Sequence, residues 1–160
     1  MDQIILDFEN WSVQEYDQFR IATLSGDSET ASVLLAKLIT GWDNPGNPSD
    51  PKSFKTLSLP DIGRVIRRVN ELANQMLQSQ NVPDGYEFDL VWNYEEFTDY
   101  TKAVSSMEYP RMFELLQMVF KSWPLKEELS VSALEHLSFE HYCNLNAAVS
   151  KAVKEAMQGN

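Results

Sequence analysis

Apolar residues recur at spacings of three and four along most of this chain, and in two short stretches they alternate with polar ones. The first period belongs to helices with one buried stripe, the second to strands with one buried face. Val13, Tyr16, Phe19 and Thr23 mark a helix A, and Ala31, Leu34, Leu35, Leu38, Ile39 and Trp42 a helix B. Ile62, Val65, Ile66, Val69, Leu72, Ala73 and Met76 mark a helix C. The same order returns later in the chain. Tyr94, Phe97, Tyr100, Thr101 and Val104 come first, then Met112 to Trp123, then Tyr142, Leu145, Val149, Ala152, Val153 and Met157. All six helices are expected to be amphipathic. Boundary signals agree: Ser12 with Glu15 and Asn93 with Glu96 have capping-box spacing, and Gly26-Asp27 and Pro110 suit the start of helix B. Ser58 and Ser138 suit the N-cap of helix C. Ile4, Leu6, Phe8 and Tyr86, Phe88, Leu90 alternate with polar residues and predict two short strands.

The recurrence extends to residue identities. Residues 11–42 align with 92–123 without a gap and share seven identities, among them Trp11 with Trp92, Leu34-Leu35 with Leu115-Leu116, and Trp42 with Trp123. After one deleted residue, Leu57-Ser58-Leu59 aligns with Leu137-Ser138-Phe139. The expectation is a mainly α protein of two tandem three-helix repeats related by a pseudo-two-fold, with a short two-stranded ribbon made by the two strand copies pairing with each other. Residues 1–78 form the first repeat, 79–85 a polar connector with a Pro-Asp-Gly turn, and 86–160 the second repeat. Each half is near the lower limit of independent stability, so the two are expected to pack as one globular unit.

Composition narrows the partners. The 160 residues carry 13 Lys+Arg against 24 Asp+Glu, a net charge of −11, which disfavours nucleic acid and anionic membrane surfaces. With 43% hydrophobic residues the chain can bury a core. One cysteine, Cys143, and no secretory leader pattern favour a reducing cytoplasm. No apolar run approaches the roughly 20 residues of a membrane span.

Candidate chemistry is sparse. Glu95-Glu96 and Glu127-Glu128 are adjacent carboxylates that point apart on a helix. His136, His141 and Cys143 have ligand chemistry but no zinc spacing. The 43–51 segment has calcium-compatible oxygens, yet three prolines and no closing Glu, so a stiff B-to-C connection is expected. No catalytic residue, cofactor or metal site is therefore expected. Two sets remain as partner-binding candidates. Arg64, Arg67 and Arg68, helped by Lys52 and Lys55, share one helical face and could dock an acidic segment. Trp11, Trp42, Trp92 and Trp123 stand at equivalent helix boundaries, where they either pack the core or, with the six methionines, rim an apolar groove between the halves for an amphipathic helix.

The run Asp7-Phe8-Glu9-Asn10-Trp11-Ser12-Val13, then Ser25-Gly26-Asp27, Leu34-Leu35-Ala36-Lys37, Trp42, and Gly46-Asn47-Pro48-Ser49-Asp50-Pro51 before Leu57-Ser58-Leu59, resembles the small tail assembly chaperones of long-tailed phages. The resemblance covers about residues 5–76. It implies an acidic, mainly helical, non-enzymatic protein that keeps the tape-measure protein soluble until tail-tube subunits polymerise around it, in the host cytoplasm if the chain is phage-encoded. The second half shares Trp92, Trp123 and Leu137-Ser138 but lacks the proline-rich connection. The expected function is thus a protein-binding assembly factor holding a helical client, with homo-oligomerisation open. An acidic inhibitor mimicking nucleic-acid charge is the alternative, and a small hydrolase or transferase based on His136, His141 and Cys143 ranks last.

Overall fold

A computed structural model describes residues 3–79 and 81–159. Met1, Asp2, Gln80 and Asn160, which the expected repeats and connector include, lie outside the described residues. Among the described residues the protein is mainly helical, with eight α-helices and two small antiparallel strand pairs. The chain divides into two compact units, Met1–Gln78 with Ser138–His141, and Ser79–Leu137 with Tyr142–Asn160.

In the first unit, β1 (Ile5–Leu6) leads through a 3-10 turn at Phe8–Asn10 into α1 (Val13–Ser25) and α2 (Ser28–Leu38), and β2 (Ile39–Gly41) follows directly. Then come the single turn α3 (Lys52–Lys55) and the long α4 (Leu59–Gln78). The Ser12 capping box forms, with Ser12 Oγ accepting from the Glu15 amide and the Glu15 carboxylate from the Ser12 amide. Lys37 pairs with the same carboxylate. Partial burial pushes the Glu15 carboxyl up, but Lys37 and the Ser12 amide outweigh it and hold it below the ordinary value. Gly26 ends α1 in the left-handed conformation, and Asp27 caps α2 through the Thr30 amide. Val13, Tyr16, Phe19, Leu34, Leu35, Leu38, Ile39, Val65 and Val69 form the core.

The second unit runs β3 (Glu87–Phe88), α5 (Tyr94–Ser105), α6 (Tyr109–Val119), β4 (Phe120–Ser122), α7 (Val131–Glu135), and most of α8 (Phe139–Met157). The Asn93 capping box also forms, and Pro110 sits in the first turn of α6. Met107, where the first unit has Gly26, adopts φ 54°. The next amide closes the helix identically in the two units, Asp27 to the Ala22 carbonyl and Glu108 to that of Ala103, both at 2.9 Å.

Four expectations need correction. The strand copies do not pair with each other; β1 pairs with β2 and β3 with β4, each antiparallel. Nor does helix B reach a tryptophan. It stops at Leu38 and Val119, and the next three residues become strands, so Trp42 and Trp123 lie beyond them. Both corrections have one cause. Leu38 and Trp42, four apart, share a face in either a helix or a strand, and the neighbouring extended strand supplies hydrogen bonds that continued helix would forgo, beginning with Asp7 N–H to Leu38 O at 3.0 Å and Asp89 N–H to Val119 O at 2.7 Å. Three helices per half is an undercount, because α3 and α7 form inside the B-to-C connections. Finally, α1 exposes Ile21 and Leu24, so its outward face is not polar.

Candidate functional site

All four indole N–H groups are spent on backbone carbonyls. Trp11 donates to Leu34 at 2.8 Å and Trp92 to Leu115 at 2.9 Å, which ties each tryptophan to the helix after the one it precedes. Trp42 donates to Gly46 at 2.9 Å and Trp123 to Glu127 at 2.8 Å, where they anchor loops. The Trp42 ring lies 4.9 Å from Phe54, and Trp123 meets Phe120 edge-on at 5.5 Å. Buried indole needs such partners, and these bonds make the tryptophans anchors of their own units. Trp11 is 0% exposed, so its ring has no face left for a partner. Trp92 and Trp42 are half-buried, and Trp123 is buried.

The surroundings of Trp11 and Trp92 differ in one respect. Beside Trp11, the segment that opens α8 lies against the chain: Ser138 bridges Ser12 in antiparallel fashion, and the Phe139 amide donates to the Trp11 carbonyl at 2.8 Å. This places the Phe139 ring 4.2 Å from Tyr16 and 5.3 Å from Phe8, centroid to centroid. Phe139 is 0% exposed. Its docking brings Glu140 towards Glu9 and Asp7. Burial first, then the Glu9 charge and a hydrogen bond with Glu9, raise the Glu140 carboxyl above its ordinary value, with His141 opposing.

Beside Trp92 the corresponding surface is open. A cleft of about 170 Å³ is lined by Leu90, Trp92, Asn93, Tyr94, Phe97, Val153, Ala156 and Met157. The residues of the first unit aligned with its α5 side are Phe8, Trp11, Ser12, Val13 and Tyr16; of these, Phe8 and Tyr16 pack their rings on Phe139, the Trp11 carbonyl accepts from the Phe139 amide, and Ser12 bridges Ser138. An apolar cavity near 150 Å³ holds a benzene ring, so this cleft has room for one leucine or phenylalanine side chain. Its rim is apolar and uncovered, with Tyr94 at 75% and Met157 at 70% exposure. Trp92 stacks on Tyr100 at 4.9 Å, as Trp11 does on Phe19 at 5.1 Å. Tyr100 in turn donates to Asn146 at 3.0 Å, and burial, with Tyr142 adding to it, pushes its phenol well up. Of the polar side chains in the lining, Asn93 caps α5 and the Trp92 indole donates to Leu115, while Tyr94 brings a phenolic hydroxyl to the rim. The cleft therefore offers mainly shape and apolar surface.

The arginines of α4 are differently engaged. Arg64 reaches Asn44 at 2.8 Å and Asp43 at 3.1 Å, holding the loop after β2. Arg68 lies 3.9 Å from Glu71, Arg67 is exposed, and Lys55 pairs with Glu29. His136 Nδ1 is engaged with the Ser132 carbonyl at 2.8 Å and Cys143 is buried. Among the described residues no three His, Cys, Asp or Glu residues are grouped to hold a metal ion, and no helix is long and apolar enough to cross a membrane.

Sequence reasoning singled out Trp92 but missed the rest of the cleft, and it missed Phe139 as the plug of its counterpart. The alignment of Leu59 with Phe139 was the available signal, since it exposes a matched pair whose environments could then be compared. Comparison of the chain with protein-family models, curated proteins and solved structures finds no match.

Proposed function

We propose that this protein is a non-enzymatic assembly factor that holds an amphipathic helical client by seating an apolar side chain in the cleft beside Trp92. The observation that carries the reading is the filled counterpart. At Trp11 a segment entering a helix bridges the backbone and plants one aromatic ring among Phe8, Trp11 and Tyr16, and the matched surface at Trp92 stands empty. A client segment of the form polar residue, apolar residue, helix would use the same two contacts. The net charge of −11 keeps such a complex soluble while apolar surface is being handled. A tape-measure-like chain of long amphipathic helices, as the likeness to phage tail assembly chaperones implies, fits this mode, and the cytoplasm where such a client is made is the compartment.

The reading extends to origin: a copied and fused ancestral unit accounts for the two halves. The indole-to-carbonyl bonds from Trp11 and Trp92 span 23 residues each, and those from Trp42 and Trp123 span four each, which supports it.

The test is a titration of the full chain with a synthetic peptide of residues 134–149, which carries the Ser138-Phe139 lead, followed by amide shifts or indole fluorescence. Binding that shifts Trp92 to Phe97, survives about 1 M salt, where surface charge is screened to about 3 Å, and is lost in Tyr94→Asp/Met157→Lys is expected. Perturbations elsewhere, or release as salt rises, would refute it.

A further inference from the structure

The cleft has a matching plug on the surface of this same chain. Leu57-Ser58-Leu59 aligns with Leu137-Ser138-Phe139, the segment that fills the Trp11 pocket. Each serine caps the helix it precedes, Ser58 Oγ accepting from the Asp61 amide at 3.3 Å and Ser138 Oγ from the His141 amide at 3.1 Å, so the two segments present the next side chain from the same kind of helix start. Their surroundings are opposite. Phe139 is fully buried, whereas Leu59 is 85% exposed at the first position of α4. An exposed leucine at a helix start and an open leucine-sized cleft are the two halves of a contact that the chain makes elsewhere within one unit.

We propose that the cleft beside Trp92 takes Leu59 from a second copy of this chain, with Ser58 bridging Asn93 as Ser138 bridges Ser12. The proposal rests on the cleft being a docking site and names its occupant when no client is present. The backbone groups it would use stand ready. Phe139 N–H bonds to Trp11 O, and among the described residues neither the Leu59 amide nor the Trp92 carbonyl is engaged in a hydrogen bond. Where Glu9 and Asp7 crowd Glu140, the proposed contact sets Pro60, the residue aligned with Glu140, near Val91, which precedes Trp92 and is exposed. The contact is heterologous, since donor and acceptor are different surfaces. One leucine with an apolar rim makes a small interface of the transient class, so a dissociation constant on the order of 0.1 mM is expected.

Sedimentation of the full chain from about 10 µM to about 1 mM tests it. Expected is a concentration-dependent rise in mass that both Leu59→Asp and the cleft variant Tyr94→Asp/Met157→Lys shift upward at least tenfold. All three positions are largely solvent-exposed, so the variants should fold. Mixing the two variants, one with an intact cleft and the other with an intact Leu59, should restore association between them. A monomer throughout the range, association that Leu59→Asp leaves unchanged, or a mixture that stays apart would overturn the proposal. If the 134–149 peptide still binds at the cleft while the chain stays monomeric, the docking site stands and only its self-occupant falls. If neither peptide nor second copy binds, both readings fall.

Discussion

Replacing Phe139 and Leu59 in turn by alanine asks whether two aligned residues at two helix starts do opposite jobs. Phe139 is 0% exposed, with its ring against Tyr16 at 4.2 Å and Phe8 at 5.3 Å. Full truncation of a buried phenylalanine costs about 3–5 kcal/mol, a figure that includes the lost ring pairs and the cavity left behind. The Phe139 amide bond to Trp11 does not depend on the side chain and persists, so the upper end is not expected. Leu59→Ala removes a side chain that is 85% exposed and should fall within about 0.5 kcal/mol of wild type. Urea unfolding followed by tryptophan fluorescence, at a protein concentration well below self-association, measures both, with midpoints compared at unchanged slope. At roughly 2–4 °C per kcal/mol for a chain of this size, the melting temperature should drop on the order of 10 °C for Phe139→Ala and hardly move for Leu59→Ala. A Phe139→Ala cost below about 1 kcal/mol, or equal costs at the two positions, would mean that the segment opening α8 does not plug the Trp11 pocket, and the comparison between filled and open sites would lose its basis.

Trp11→Phe should destabilise by roughly 1–3 kcal/mol, because it withdraws a buried donor from the Leu34 carbonyl, and Trp92→Phe by less because Trp92 is half-buried; denaturant midpoints give the order. Met107→Gly should stabilise by no more than about 0.5 kcal/mol, since relief of φ 54° is partly offset by glycine's unfolded-state entropy and by loss of the Met107 sulfur that accepts from the Tyr109 hydroxyl. Ser12→Ala should cost about 1 kcal/mol of thermal stability through the lost cap of α1. The Glu140 carboxyl is raised in the fold by burial, then by Glu9 and Asp7, with His141 opposing, so ionising it works against folding. That penalty is absent below the ordinary value of 4.5, grows as pH rises through it, and is full above the folded-state pKa. Glu140→Gln should therefore melt slightly higher than wild type at pH 7, with the gap closing as pH falls below 4.5, and by well under 1 kcal/mol because the group is largely solvated. A gap that widens on acidification would contradict the assigned environment.

Local chemistry was enough to place most helix starts. Ser12, Asn93, Asp27, Ser58 and Ser138 cap helices because a short oxygen-bearing side chain can reach an amide only two or three residues on, and that relation is written in the chain itself. The buried stripes of α1, α2 and α6 were equally legible, since a three-four period has one solution when a face must be buried, whereas in α5 only Tyr100 of the expected stripe is buried and Tyr94 lies exposed. What periodicity could not decide was where a helix gives way to a strand. Leu38-Ile39-Thr40 and Val119-Phe120-Lys121 suit both, and the choice falls to β1 and β3, whose backbone groups compete for theirs. For the same reason Trp42 and Trp123, which mark helix ends in the pattern, became loop anchors. The cleft lay beyond local reading altogether. Leu59 and Phe139 occupy aligned positions behind identical Leu-Ser pairs, yet one is exposed and the other buried. Which pocket is filled depends on residues far apart in the chain meeting in space, and burial is a property of that meeting, not of either residue's neighbours in sequence.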